Sequence, residues 1–163
     1  MPGATCFGPS SASRLQSLMS RKKILVVDDS LVILKMISNY FTANGYAVVT
    51  AADGATAVST VRREKPDLIL LDLSFPPDVG HGGGVAWDGF LIMNWLQRLD
   101  GARNIPIIVI TVGDPAQCKD RALAAGAVNF FQKPINHDEL LVAIRKILGE
   151  NTAEAQSSVA PVP

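Results

Sequence analysis

Five short apolar runs, each followed by a stretch of helical periodicity, constrain this chain more than any other feature. KILVV at 23–27 is rich in β-branched residues and bounded by charge. A strand that is apolar on both faces lies between two layers, which marks a parallel sheet rather than a half-solvated antiparallel one. YAVVT (46–50), LILL (68–71), PIIVI (106–110) and VNFF (128–131) read as further strands. Between the first two, residues 30–43 carry Ile33, Met36, Ile37, Tyr40 and Phe41 at helical spacing and stop near Asn44-Gly45. Asp53 is placed to cap a helix over 54–64, which ends before Pro66. Residues 90–99 form a third helix with Leu91, Ile92, Trp95, Leu96 and Leu99 inward. Asp114-Pro115 is an N-cap with proline at the first helical position, opening a helix that Gly126 closes. Asn136 and Glu139 match a capping arrangement for the last helix, whose buried face is Leu140, Leu141, Ile144, Ile147 and Leu148. Parallel strands need helical crossovers on both faces, so the expected fold class is α/β, a (βα)5 doubly wound sheet.

The same pattern sets the domain organisation. Residues 1–20 are rich in Ser, Gly, Ala and Pro and are expected to be a disordered tail, with Met19 as a candidate natural start. Residues 21–149 form the folded unit, and 150–163 read as a second disordered tail. Formal net charge is +0, which speaks against nucleic acid or an anionic membrane as the main partner. No apolar stretch is long enough to span a bilayer, and the N-terminus lacks a basic start and an apolar h-region. Cys6 and Cys118 have no metal-type spacing and are expected as free thiols in a reducing compartment, which points to a cytoplasmic protein.

In doubly wound sheets, ligands bind beyond the carboxyl ends of the strands, so the residues there decide the chemistry. Asp28-Asp29 follow the first strand, Asp72 the third, Thr111 the fourth and Lys133-Pro134 the fifth. Taken singly, each has a bland explanation as a cap, a turn or a loop residue. Together they bring three carboxylates, a hydroxyl and an ammonium to one sheet edge. Crowded carboxylates resist joint ionisation, and a hard divalent cation relieves that. Mg²⁺ takes oxygen ligands and commonly bridges carboxylates to a phosphate, whose remaining oxygens suit a lysine and a hydroxyl.

The ordered set ILVVDDS, PDLILLDLSFP, DGF, IPIIVIT and ALAAGAVNFFQKPI resembles the receiver domain of two-component response regulators, over nearly all of 21–149. The resemblance implies a flavodoxin-like sandwich with strand order 2-1-3-4-5. It implies that Asp72 accepts a phosphoryl group from a sensor histidine kinase, a histidine phosphotransfer protein or a small acyl phosphate. Asp29 is then the direct Mg²⁺ ligand, with Mn²⁺ an acceptable substitute. Asp28 holds metal-bound water, and the Ser74 carbonyl is a backbone ligand. Lys133 pairs with the phosphoryl group, Thr111 moves to hydrogen-bond it, and Phe130 is the switch aromatic. The new dianion biases a two-state surface around the fourth helix, fifth strand and fifth helix. That face is also where a homodimer is to be expected, beside an output protein that the sequence does not identify. The chain is then not an enzyme acting on an external substrate; it has at most self-phosphorylation and self-dephosphorylation.

Three departures stand out. Phe75-Pro76 is followed by PDVGHGGGVAW before Asp88-Gly89, an insertion at about 77–87. It reads either as a plain surface loop or as a lid that brings Asp78 and His81 toward the site. Val112 stands where the family has a small residue, either narrowing access or simply extending the strand. Phe130 replaces a tyrosine and lacks its hydroxyl. The leading expectation is a stand-alone receiver; the alternative is a phosphorylation-independent pseudo-receiver acting as a scaffold. An aspartyl-phosphate phosphatase would want a second Asp where Ser74 stands, and a flavin or nucleotide binder would want a phosphate cradle where Asp28-Asp29 stand.

Overall fold

Residues 21–74 and 88–150 are described by a computed structural model. Their elements alternate strictly: β1 (Lys23–Val27), α1 (Leu31–Ala43), β2 (Ala47–Ala51), α2 (Gly54–Glu64), β3 (Leu68–Asp72), α3 (Gly89–Arg98), β4 (Ile107–Thr111), α4 (Pro115–Ala124), β5 (Asn129–Gln132) and α5 (His137–Ile147). The five strands are parallel in the order β2-β1-β3-β4-β5. Both the doubly wound class and the strand order expected from the sequence are therefore observed.

Side chains that alternate along a strand point to opposite faces, and here both faces are covered. Ile24, Val26, Leu68, Leu70, Ile108 and Ile110 face Leu34, Ile37 and Phe41 of α1 and Leu140, Leu141 and Ile144 of α5. Leu25, Val27, Ile69, Leu71, Ile107 and Val109 face Ala57 and Val61 of α2, Ile92, Met93 and Leu96 of α3, and Ala122 of α4. The central strands β3 and β4 are buried along their whole length, which explains their unbroken apolar runs.

Each of the five helices among the described residues begins with a side-chain cap: Ser30, Asp53, Asp88, Asp114 and Asn136. Every cap accepts a backbone N–H of the first turn that has no partner within the helix. At the last, Asn136 Oδ1 accepts from Asp138 N at 3.0 Å and Glu139 N at 3.4 Å, while its amide donates to Glu139 Oε1 at 3.2 Å.

The structure moves several expected positions. Strands β2, β4 and β5 each sit one residue later than the runs at 46–50, 106–110 and 128–131, because the ladder hydrogen bonds, not the hydropathy, set strand ends. Trp95, expected inward, is 46% exposed, and Met93 takes the buried place instead. At about 100° per residue, Ile92, Met93 and Leu96 form one stripe, and Trp95 lies well to its side. Met36, one of the apolar positions at helical spacing, is 54% exposed, since it is turned away from the Leu34, Ile37 and Phe41 stripe. Leu91, Leu99, Ile147 and Leu148 are half-buried rather than buried. The expected tails at 1–20 and 150–163, apart from Glu150, and the insertion with Asp78, His81 and Trp87 lie outside the described residues; Glu150 is half-buried, and its N–H donates to Arg145 O at 2.8 Å, so it belongs with the folded unit. No helix among the described residues is long and apolar enough to cross a membrane.

Candidate phosphoryl-acceptor site

Every strand end singled out in the sequence arrives at one edge of the sheet. Asp28 continues from β1, its N–H still donating to Ala51 O of β2 at 3.2 Å. Asp72 and Thr111 are the last residues of β3 and β4. Lys133 follows β5, its N–H donating to Thr111 O at 2.9 Å, and its peptide bond to Pro134 is cis. The ladder thus fixes the backbone of each site residue before any side-chain contact is made.

The side chains then converge. Lys133 Nζ donates to Asp28 Oδ2 at 2.6 Å and to Asp72 Oδ2 at 2.9 Å. The other carboxylate oxygens accept backbone N–H groups: Asp28 Oδ1 from Ser30 at 2.8 Å and Asp72 Oδ1 from Ser74 at 2.8 Å. Asp28 and Asp72 are each 3% exposed, Thr111 1%, while Asp29 is exposed. Oxygens of Asp28, Asp29 and Asp72 lie within 4.8 Å of one another.

Burial and the Lys133 hydrogen bonds set the titration of Asp28 and Lys133 in opposition. Burial pushes the Asp28 carboxyl above its ordinary value of 3.8, outweighing the Lys133 and Ser30 hydrogen bonds that pull it down. Burial alone would lower Lys133, but its hydrogen bonds to Asp28 and Asp72 hold it above its ordinary value. At Asp28 burial outweighs one ammonium, whereas at Lys133 two acids outweigh burial.

The remaining sequence candidates fall into place around this group. Thr111 Oγ1 accepts from Gly113 N at 3.3 Å and shares a 2.7 Å hydrogen bond with Ser74 Oγ. The Ser74 hydroxyl was not singled out from the sequence, although a small polar residue just beyond β3, beside the end of β4, was the available signal. Phe130 is half-buried on β5 against the face covered by α2, α3 and α4. Val112 is 64% exposed. With Ile33, Met36, Ile37, Lys133, Pro134, Ile135 and His137 it lines a groove of about 530 Å³ beside the site. Cys118 is a free, half-buried thiol on α4.

The donor set suits a small hard cation: carboxylate oxygens alone, two of the three acids buried, and more negative charge than Lys133 can balance. Chemically, the arrangement offers a carboxylate nucleophile, a fixed cation beside it, and a hydroxyl within the same cluster.

The response regulator receiver domain model matches residues 24–145. Sporulation initiation phosphotransferase F of Bacillus subtilis is 32% identical over 130 residues, 80% of this chain and 96% of that protein. The transcriptional regulatory protein KdpE of Mycobacterium tuberculosis is 33% identical over 133 residues, 82% of this chain but only 54% of that protein. The chain therefore spans about half the length of that relative. Among solved structures, the chemotaxis protein CheY4 of Vibrio cholerae superposes with a TM-score of 0.69 at 29% identity, over 78% of this chain and 99% of that one.

Proposed function

The chain belongs to the response regulator receiver family, and we propose that it is a phosphorylation switch whose acceptor is Asp72. The observation that carries this is the double hydrogen bond of Lys133 Nζ to Asp28 and Asp72 at the buried mouth of the sheet. It pairs a carboxylate nucleophile with a charge that the transferring phosphoryl group needs.

In the proposed reaction an Asp72 oxygen attacks phosphorus of a phosphohistidine or acyl phosphate. The P–N or P–O bond breaks, and the leaving imidazole or carboxylate carries off the electron pair. Such transfers need positioning and charge neutralisation more than covalent participation. Lys133 supplies a fixed positive charge. The Ser74 N–H, already on Asp72 Oδ1, orients the nucleophile. Asp28, Asp29 and Asp72, with the Ser74 carbonyl, would hold Mg²⁺ or Mn²⁺, which when bound adds positive charge beside the phosphoryl oxygens. Thr111 and Phe130 relay the effect of the new charge, through their own rearrangement, to β5 and its neighbours, where an output protein or a second copy binds. The donor is a sensor histidine kinase or a phosphotransfer protein, in the cytoplasm. The 96% coverage of the Bacillus relative supports a receiver that signals by binding a partner protein. Turnover is limited to gaining and losing this one phosphoryl group.

Intact mass after incubation with acetyl phosphate and Mg²⁺ tests the proposal. One phosphoryl adduct is expected, absent from Asp72→Asn and absent when Mg²⁺ is chelated. A wild-type chain that stays unmodified with acetyl phosphate and with phosphorylated kinases would overturn it in favour of a phosphorylation-independent scaffold.

A further inference from the structure

The Thr111 hydroxyl is buried, so it has no ready exchange with water, and its partners can be counted. Among the described residues they are Gly113 N–H, which donates to it at 3.3 Å, and Ser74 Oγ at 2.7 Å. A hydroxyl carries one proton. Gly113 uses one acceptor position, and the short bond to Ser74 engages either that proton or the remaining lone pair. Ser74 is itself tied to the acceptor, since its N–H donates to Asp72 Oδ1 at 2.8 Å. Ser74 therefore touches both partners of the proposed switch, the acid through its backbone and the threonine through its side chain.

The geometry points to Ser74 Oγ as a latch that holds Thr111 in its resting arrangement. This rests on Asp72 being the phosphoryl acceptor and adds the step that precedes switching. For the Thr111 side chain to turn toward a phosphoryl oxygen on Asp72, its oxygen must leave its 2.7 Å contact with Ser74 Oγ, whichever of the two donates. The resting state is favoured by one neutral hydrogen bond between the buried threonine and the exposed serine. Ser74 is a positioning residue here: its side chain sets how often Thr111 is free, and the serine oxygen itself reacts with nothing.

The Thr111 γ-methyl resonance reports the latch without any phosphoryl donor. In unphosphorylated Ser74→Ala the resonance is expected to move toward its position in the phosphorylated wild type. The released population should rise about fivefold, the ratio given by the loss of one neutral hydrogen bond. Ser74→Thr, which keeps a hydroxyl at the same place, should return it to the resting position; a merely structural defect would not be rescued this way. An unmoved resonance in Ser74→Ala, beside a normal adduct on the wild type, overturns the latch and leaves the acceptor role of Asp72 intact. A moved resonance that Ser74→Thr does not restore also overturns it. If the wild type forms no adduct, there is nothing for the latch to gate and both proposals fall.

Discussion

Asp28 shows how a single residue at this site trades stability for charge. Its carboxyl is buried and its titration is raised above the ordinary 3.8, chiefly by that burial. The folded chain therefore holds this proton more readily than the unfolded chain does. The stability linked to it is full below the ordinary aspartate range and is lost as pH rises through the raised folded value. Asp28→Asn should accordingly stabilise the metal-free protein at pH 7. Asparagine keeps an acceptor for the Ser30 N–H, and Lys133 keeps Asp72 at 2.9 Å, so no buried charge is left unpaired. A rise in melting temperature of about 3–5 °C is expected, the shift that ~1 kcal/mol gives in a chain of this size. The gap between variant and wild type should close as pH falls from 7 toward 4, and added Mg²⁺ should raise the wild type more than the variant. Calorimetry across that pH range checks all three; a variant less stable at pH 7 would mean that the ion pair to Lys133 outweighs burial. The placement of Asp28, Asp29, Asp72, Thr111 and Lys133 at one edge was legible in the sequence because parallel strands deliver their ends to one place. The bond between Ser74 and Thr111 was not, because a hydroxyl contact depends on side-chain rotamers that no periodicity encodes.

At the scale of an element, α3 is held against the end of β3 by the absence of a side chain. A Cβ on Gly89 would lie 2.5 Å from Leu73 Cα and 2.7 Å from Asp72 O, both backbone atoms that cannot swing aside. Gly89→Ala is expected to destabilise by about 1–3 kcal/mol, as overpacking does. It should also slow adduct formation, because the atoms it pushes belong to the Asp72–Leu73 peptide. Gly101→Ala is the control: its φ is +85° but nothing lies within 4 Å of the added carbon. It should cost roughly 1 kcal/mol through backbone strain alone and leave the rate of adduct formation unchanged. Equal effects of the two on that rate would remove the close approach as the cause. The sequence marked Asp88-Gly89 as the pair that closes the insertion ahead of the helix at 90–99 but gave no reason for the glycine, since the close neighbour, Leu73, is joined to it through residues 74–88. Trp95 fell outside the core for a related reason. An apolar helix presents more than one plausible stripe, and only packing against the sheet chooses Ile92, Met93 and Leu96. The caps at Asp53, Asp114 and Asn136 were legible because capping is local, settled within three residues.

Across the whole molecule, a charge change at one sheet edge reaches other surfaces only if both packed layers respond as one unit. Two apolar clusters lie on opposite faces of the sheet, and every central strand contributes to both. Leu70 and Leu71 are neighbours on β3, 1% and 0% exposed, and they face different clusters. Removing either side chain leaves a cavity in one layer only. If the layers were separable, Leu70→Ala would melt the face covered by α1 and α5 and spare the other, and Leu71→Ala would do the reverse. A shared sheet argues otherwise: loosening β3 from one side weakens the ladders to β1 and β4, which the opposite layer also needs. Each variant is therefore expected to lose about 2–5 kcal/mol and still to unfold in a single transition. Calorimetric and van't Hoff enthalpies should agree for both, as they do for a two-state unit. Two resolved transitions in either variant would show that the layers unfold independently. The route from Asp72 to β5 would then have to run through the site-edge contacts of Thr111 and Lys133 alone, without the sheet behind them.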